Sequence, residues 1–193
     1  MSGDFSFITD RLAVGDVASR STPGFVAVVS VLATERPGVI CDELYGAPEI
    51  DDSVVVAPRK VHHFLYHDTT SIGKLPILHV DLADGEGAYL GPAHDRQGIA
   101  HTPHDLADYL DDVTTFIAAY IHRGCVLVHC GAGRSRSVAV VVAYLCRYAG
   151  MSYSEALSLV KARRPGAAPA DCFKAAIERW LGLEKLSAMG PRR

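Results

Sequence analysis

The stretch Val126–Ser137, VLVHCGAGRSRS, sets one cysteine and two arginines between two apolar segments. A β-branched run ends at His129-Cys130, turns through Gly131 and Gly133, and becomes apolar again after Ser137. A buried strand that feeds a glycine-rich loop and then a helix builds an anion site. Main-chain N–H groups of the loop converge there, and the positive end of the helix dipole points the same way. Gly131 and Gly133 supply the backbone freedom such a turn needs. The amides of Gly131, Ala132, Gly133, Arg134, Ser135 and Arg136 are the expected cradle. Arg136, with five residues between it and Cys130, can fold back and grip two oxygens of a phosphate group. A thiol inside such a cradle loses its proton more readily, because the same positive field favours the thiolate. His129 is expected to orient the strand end and to hydrogen-bond to the loop. Ser137 fits a hydroxyl on the thiolate, a helix N-cap, or both, since the two roles are compatible.

The elements that must hold these residues can be read along the chain. FVAVVSVLA (25–33), LPILHVDL (75–82) and CVLVHC (125–130) read as strands covered on both faces. SVVVA (53–57) and VHHFLY (61–66) are weaker strand candidates, and the acidic segment from Cys41 to Asp52 reads as a solvated loop. TPHDLADYLDDVTTFIAAYIHRG (102–124) predicts a helix, with Thr102 as N-cap, Pro103 at its first position, Asp105 in its first turn and Gly124 as its stop. Ser137–Tyr148 predicts a helix buried all round and ended by Gly150. Ser152 and Glu155 form a capping-box pattern for a third helix, stopped by Pro165, and a last helix covers about 170–183. Strands followed by helices imply one α/β domain over residues 1–184, a central, mostly parallel sheet flanked by helices, with 185–193 as a tail. The segment GEGAYLGPAHDRQGIAH (85–101) is long and aperiodic, which marks it as a loop facing substrate or acting as a lid.

Composition narrows the classes. The chain has 193 residues, 49% hydrophobic, with a formal net charge of −3, so bulk charge favours neither nucleic acid nor an anionic membrane. MSGDFSFITD lacks a secretory leader's pattern, its glycine at position 3 does not suit N-myristoylation, and no apolar run is long enough to span a bilayer. Cys41, Cys125, Cys130, Cys146 and Cys172 are odd in number and form no CxxC pair, as expected of reduced thiols in a cytoplasmic compartment. His62, His63 and His67, and His94, His101 and His104, lack familiar ligand spacing and are read as solvated, so no metal or cofactor is expected. Arg163 and Arg164 are read as surface residues favouring a helix C-terminus.

VLVHCGAGRSRS resembles the signature of cysteine-dependent protein phosphatases, and of their dual-specificity branch in particular. ITDRLAVGD (8–16) resembles that branch's opening strand, and AYLCRYAGMSYSEALSLVKARRP (143–165) resembles its helices after the loop. The resemblance is weakest over 37–74 and 85–101. It implies a metal-independent hydrolase of phosphotyrosine and phosphoserine/threonine in proteins, working through a phosphocysteine. The chain is short for the tyrosine-specific members and has no tyrosine-clamping segment like theirs, which favours a shallow pocket. By the resemblance, a loop aspartate some forty residues before Cys130 protonates the leaving oxygen. In LHVDLADGEGAYL (78–90) the candidates are Asp84, which begins the glycine-rich loop, and Asp81, which lies inside the apolar run. The spacing favours Asp84; a plain turn residue before Gly85 is its bland alternative.

Other readings stay open. AGRSRS resembles the loop of the mitochondrial phosphatidylglycerophosphate phosphatase, and Arg134 stands where inositol-lipid phosphatases carry a basic residue, so a phospholipid is the rival substrate; a solvent-facing Arg134 is equally compatible. A silent phospho-binding module and a sulfur-transfer or redox enzyme are further alternatives, the last needing Cys41 or Cys125 near Cys130. In PADCF (169–173) Ala170 and Cys172 replace the family's Asn and Gly, so the asparagine's bonds to neighbouring loops are missing. Oligomeric state is not encoded in any of these features.

Overall fold

The computed structural model describes residues 3–32, 49–50, 61–67, 74–80, 82, 93–94, 100–101 and 106–188. In chain order the strands are β1 (Phe5–Phe7), β2 (Leu12–Gly15), β3 (Phe25–Val31), β4 (Glu49–Ile50), β5 (Val61–His67), β6 (Lys74–Val80), β7 (Ala93–His94), β8 (Ala100–His101) and β9 (Cys125–His129). The helices are α1 (Leu110–Ile121), α2 (Arg136–Tyr148), α3 (Tyr153–Arg163) and α4 (Asp171–Ala188).

One sheet has the order β1-β2-β9-β3-β6-β5-β4. Its centre is parallel, with Val28 opposite both Leu127 of β9 and Ile77 of β6, and its edges are antiparallel. The sequence-based α/β reading holds for this mixed sheet. Alternation along the strands splits the core. Val14, Val29, Val31, Leu78, Val80, Val126 and Val128 join the large cluster shared with the helices, while Ala13, Val28, Ile77 and Leu127 form a smaller cluster with Phe5, Phe25 and Leu75. Ser137–Ala143 are all buried, and α1, α3 and α4 each pack against α2, which makes α2 the central helix; it is not buried all round as expected, because Tyr144 and Arg147 are half-buried and Tyr148 is exposed.

Several boundaries differ from expectation. The opening segment is a hairpin, β1 paired antiparallel with β2. Glu49–Ile50, read as loop, pairs with Phe64 and Leu65 at the sheet edge. SVVVA and Thr102, Pro103 and Asp105 lie outside the described residues; α1 instead follows a 3-10 turn at Leu106–Asp108, because the Tyr109 N–H closes on the Leu106 carbonyl at 3.0 Å. Of the apolar residues at helical spacing, Leu106, Tyr109, Leu110, Val113, Phe116 and Ile117 are buried as expected, while Tyr120 is half-buried against the same core. Within 85–101, Ala93 pairs with His101 and His94 with Ala100, a short ladder that a purely aperiodic reading missed. The Ser152/Glu155 capping box is present, and α4 continues past Leu183 to Ala188.

Among the described residues no helix is long and apolar enough to cross a membrane, and no group of three or more His, Cys, Asp or Glu could hold a metal. His62, His63 and His67 fall on β5, His94 and His101 on the β7–β8 ladder, and His104 outside the described residues.

Candidate active site

Ligand sites of open α/β sheets form beyond the carboxyl ends of their parallel strands. β9 lies between β2 and β3, and Cys130 is the first residue past its end. The Cys130 side chain is buried, and its N–H donates to the Gly15 carbonyl at 3.3 Å. The chain then turns and enters α2 at Arg136, with Ser135 in the N-cap position. The Ser135 side chain makes no capping bond; its hydroxyl accepts the Ala170 N–H at 3.3 Å. Ser137 is therefore not the cap. It lies in the first turn, and its hydroxyl donates to the Cys130 Sγ at 3.3 Å.

Only one loop glycine is held by its backbone angles. Gly133 has φ +64°, and a side chain there would lie 2.6 Å from the main chain of Gly15. Both conditions exclude larger residues. Gly131 is under neither constraint: its φ is not positive, and a side chain there would begin at ordinary contact distance, 3.4 Å, from the Arg136 Nη2.

Three loop carbonyls are engaged by donors outside the loop. The Gly131 carbonyl accepts the Val17 N–H at 3.1 Å, and the Arg134 carbonyl accepts the Ala168 N–H at 2.8 Å. The Gly133 carbonyl accepts the Arg164 Nε at 2.6 Å. A planar trans peptide points its N–H opposite to its C=O. The amides of Ala132, Arg134 and Ser135 are thus turned away from those donors, as an anion cradle requires. Arg136 folds back so that its Nη1 donates to the Leu82 carbonyl at 3.0 Å. That contact ties the loop to the chain two residues before Asp84. Asp81 and Asp84 both lie outside the described residues.

The electrostatics are a contest. Burial alone pushes the Cys130 thiol up. The Ser137 hydroxyl, main-chain hydrogen bonds from Ser137 and Gly133, and the Arg136 charge act against burial, and the net direction is down from the ordinary thiol value. Alkylation of Cys130 by iodoacetamide is therefore expected to proceed below the pH range of ordinary thiols, because only the thiolate reacts. Ser137→Ala removes a hydrogen bond to the anion and is expected to slow alkylation at pH 6 roughly tenfold. An unchanged rate in that variant would exclude Ser137 as a thiolate donor.

His129 points to the opposite face of β9 from Cys130. Burial, then the charges of Arg20 and His79, lower its pKa to about 3 against a hydrogen bond with the Cys130 main chain. It is neutral at pH 7 and contributes no positive charge to the thiolate. Its surroundings were not foreseen from sequence. Ser30 is opposite both His129 and His79 in the sheet register, and the Ser30 hydroxyl lies 3.2 Å from the His79 Nδ1. The available signal was a polar residue interrupting each of three buried apolar runs.

Arg164 overturns its reading as a surface residue. Pro165 stops α3, and at φ −134°, ψ 86° the chain leaves the helix and turns the Arg164 side chain inward. Besides Gly133, its Nη1 and Nη2 reach the two carboxylate oxygens of Asp4 at 3.3 and 3.0 Å. Arg163 is exposed as expected. Arg134 is exposed, and its Nε donates to the Gly166 carbonyl at 3.0 Å. With Ala168, Ala170 and Gly166 all bonded to the loop, residues 164–170 brace it without the missing asparagine. Cys125 starts β9 while Cys130 follows its end, about 16 Å away at ~3.3 Å per residue, too far for a disulfide. Cys125, Cys130, Cys146 and Cys172 are free thiols; Cys41 lies outside the described residues.

A parallel-centred α/β sheet whose central strand delivers a cysteine into a strand–loop–helix turn is the cysteine-phosphatase fold class. Residues 67–181, more than half of the chain, match the family model described as "Dual specificity phosphatase, catalytic domain", and the chain belongs to that family. Among curated relatives, Dual specificity protein phosphatase 1B of Arabidopsis thaliana is 44% identical over 77 residues, covering 39% of this chain and 46% of the relative. Dual specificity protein phosphatase 1 of the same plant is 48% identical over 82 residues, 42% of this chain and 40% of the relative. The matched stretch spans less than half the length of either. Among solved structures, human DUSP28 has a TM-score of 0.61 at 21% identity, covering 96% of this chain and 99% of that one. The human tyrosine phosphatase-like serine/threonine/tyrosine-interacting protein has a TM-score of 0.62 at 19% identity, covering 93% and 97%. At these identities the likeness concerns the fold.

Proposed function

We propose that this protein is a metal-independent phosphatase that hydrolyses phosphotyrosine and phosphoserine/threonine in proteins through a phosphocysteine, in a reducing, cytoplasmic compartment. The carrying observation is the joint action of Ser137 and Arg136 on Cys130, a buried thiol held below its ordinary pKa at the entrance of an anion cradle. In the first step the amides of Gly131–Arg136 and the Arg136 guanidinium bind the phosphoryl oxygens. The Cys130 thiolate attacks phosphorus in line, the S–P bond forms and the ester P–O bond breaks. Asp84 gives its proton to the leaving oxygen. In the second step Asp84 accepts a proton from water, the new hydroxyl attacks phosphorus, and the thiolate departs. Ser137 stabilises that departing charge. Arg136 and the amides neutralise the phosphoryl charge throughout, which is the task a metal performs elsewhere.

Activity should rise with pH as Cys130 ionises and fall again as Asp84 loses its proton. Asp84→Ala is expected to slow turnover of a poor leaving group, such as a serine phosphate, about a hundredfold. An activated aryl phosphate, whose leaving group needs no proton, should slow far less. Equal slowing of both would remove Asp84 as the acid and return attention to Asp81.

Turnover of a broad panel with EDTA present tests the function itself. Faster hydrolysis of phosphopeptides supports the reading. Preference for phosphatidylglycerophosphate or a phosphoinositide would give Arg134 the substrate role and make the enzyme a lipid phosphatase. Stoichiometric phosphopeptide binding without turnover would make it a phospho-binding module.

A further inference from the structure

The Gly133–Arg134 peptide is the weak joint of the cradle. Glycine at φ +64° has no side chain to resist rotation of the following peptide plane. If that plane turned over, its carbonyl dipole would face the sulfur and the bound anion, and the Arg134 N–H would leave the cradle. The native orientation is held by the bond from the Arg164 Nε to the Gly133 carbonyl at 2.6 Å. Arg164 is itself fixed. Its side chain is 7% exposed, and its two terminal nitrogens pair with the carboxylate of Asp4. A buried guanidinium with three directed bonds cannot swing away without leaving a charge unpaired. The Arg164 Nη1 also lies 3.4 Å from the Ser6 hydroxyl. Ser6 and Gly15 lie on the opening hairpin, Asp4 directly precedes it and Val17 opens the 3-10 turn that follows it, all outside the stretch 67–181 that matches the family.

We propose that Arg164, anchored by Asp4, is a positioning residue that latches the Gly133–Arg134 peptide with its N–H turned toward the anion bound over Cys130. The opening segment is then a working part of the phosphate site, acting through an ion pair that never touches substrate. The inference rests on the phosphatase reading above.

The test uses full-length protein with iodoacetamide and inorganic phosphate as probes. Arg164→Met keeps most of the side-chain volume and removes every donor; Arg164→Lys keeps the charge; Asp4→Asn loosens the anchor. Two quantities are read: the Cys130 alkylation rate at pH 6, and the phosphate concentration that halves it. Loss of a charged hydrogen bond predicts about tenfold weakening of phosphate protection and a several-fold slower alkylation in Arg164→Met. Arg164→Lys should recover part of both, Asp4→Asn should show a smaller loss in the same direction, and the exposed neighbour Arg163→Ala should change neither. A merely structural Arg164 would lower the melting temperature and leave phosphate protection within twofold of wild type, which would overturn the latch. Should Arg164→Met fail to fold, wild-type values in both Arg164→Lys and Asp4→Asn would overturn it equally. A wild-type thiol that is sluggish and unprotected by phosphate would instead overturn the phosphatase reading, and the latch with it.

Discussion

Cys130→Ser is expected to abolish hydrolysis, with turnover falling by at least about 10⁴-fold, while phosphate binding survives. The nucleophile needs an electron pair available near neutral pH. Four influences supply it at Cys130: the Ser137 hydroxyl, the Ser137 and Gly133 main-chain donors and the Arg136 charge, which together outweigh burial. A serine hydroxyl starts far higher in pKa than a thiol, and no such set of contacts brings it into range. The cradle amides and Arg136 remain, so a substrate analogue should bind as before or more tightly, because the thiolate no longer repels the dianion. Single-turnover kinetics check the first claim and equilibrium phosphate binding checks the second. Residual turnover within tenfold of wild type would show that Cys130 is not the nucleophile.

Arg136→Lys is expected to cost about 10²–10³-fold in kcat/KM, more than preserving the charge would suggest. Arg136 acts in two directions at once. Its Nη1 is committed to the Leu82 carbonyl at 3.0 Å, which fixes the plane of the guanidinium and ties the loop to the segment leading to Asp84. The Arg136 Nη2 lies 3.4 Å from where a side chain on Gly131 would begin, against the start of the loop. A lysine ammonium is a point charge on a flexible stem. It can serve the carbonyl or the phosphoryl oxygens, but it cannot present a planar fork to both. The lysine variant should also react more slowly with iodoacetamide at pH 6, since the positive charge lowering the Cys130 pKa is less well placed. Measured kcat/KM within a factor of a few of wild type would remove the bidentate role.

How much of this was legible beforehand follows from the range of the interactions. Cys130, Arg136 and Ser137 belong to one contiguous run, and strand–loop–helix geometry is local, so their meeting follows from spacing alone. The Ser152–Glu155 capping box and the buried stripe of α1 are equally local and were readable for the same reason. The 3-10 turn that precedes α1 and the Ser135 hydroxyl spent on Ala170 rather than on a helix cap were not readable, because the ends of helices are settled by small competitions among neighbouring contacts. Both proton-donor candidates, Asp81 and Asp84, come from the linear pattern.

By itself the sequence determined that a thiol, a forked cation and a hydroxyl are brought together by one strand and one helix, in an α/β chain of the dual-specificity phosphatase family. Only the tertiary structure decided what holds that core in shape. Arg164 lies 31 residues from Gly133 and 160 from Asp4, so no periodicity in the chain announces their meeting. Ser30, His79 and His129 likewise become neighbours through sheet register. Local spacing fixes which groups a single turn presents, whereas the direction of a carbonyl or the burial of a guanidinium depends on segments that fold back from a distance.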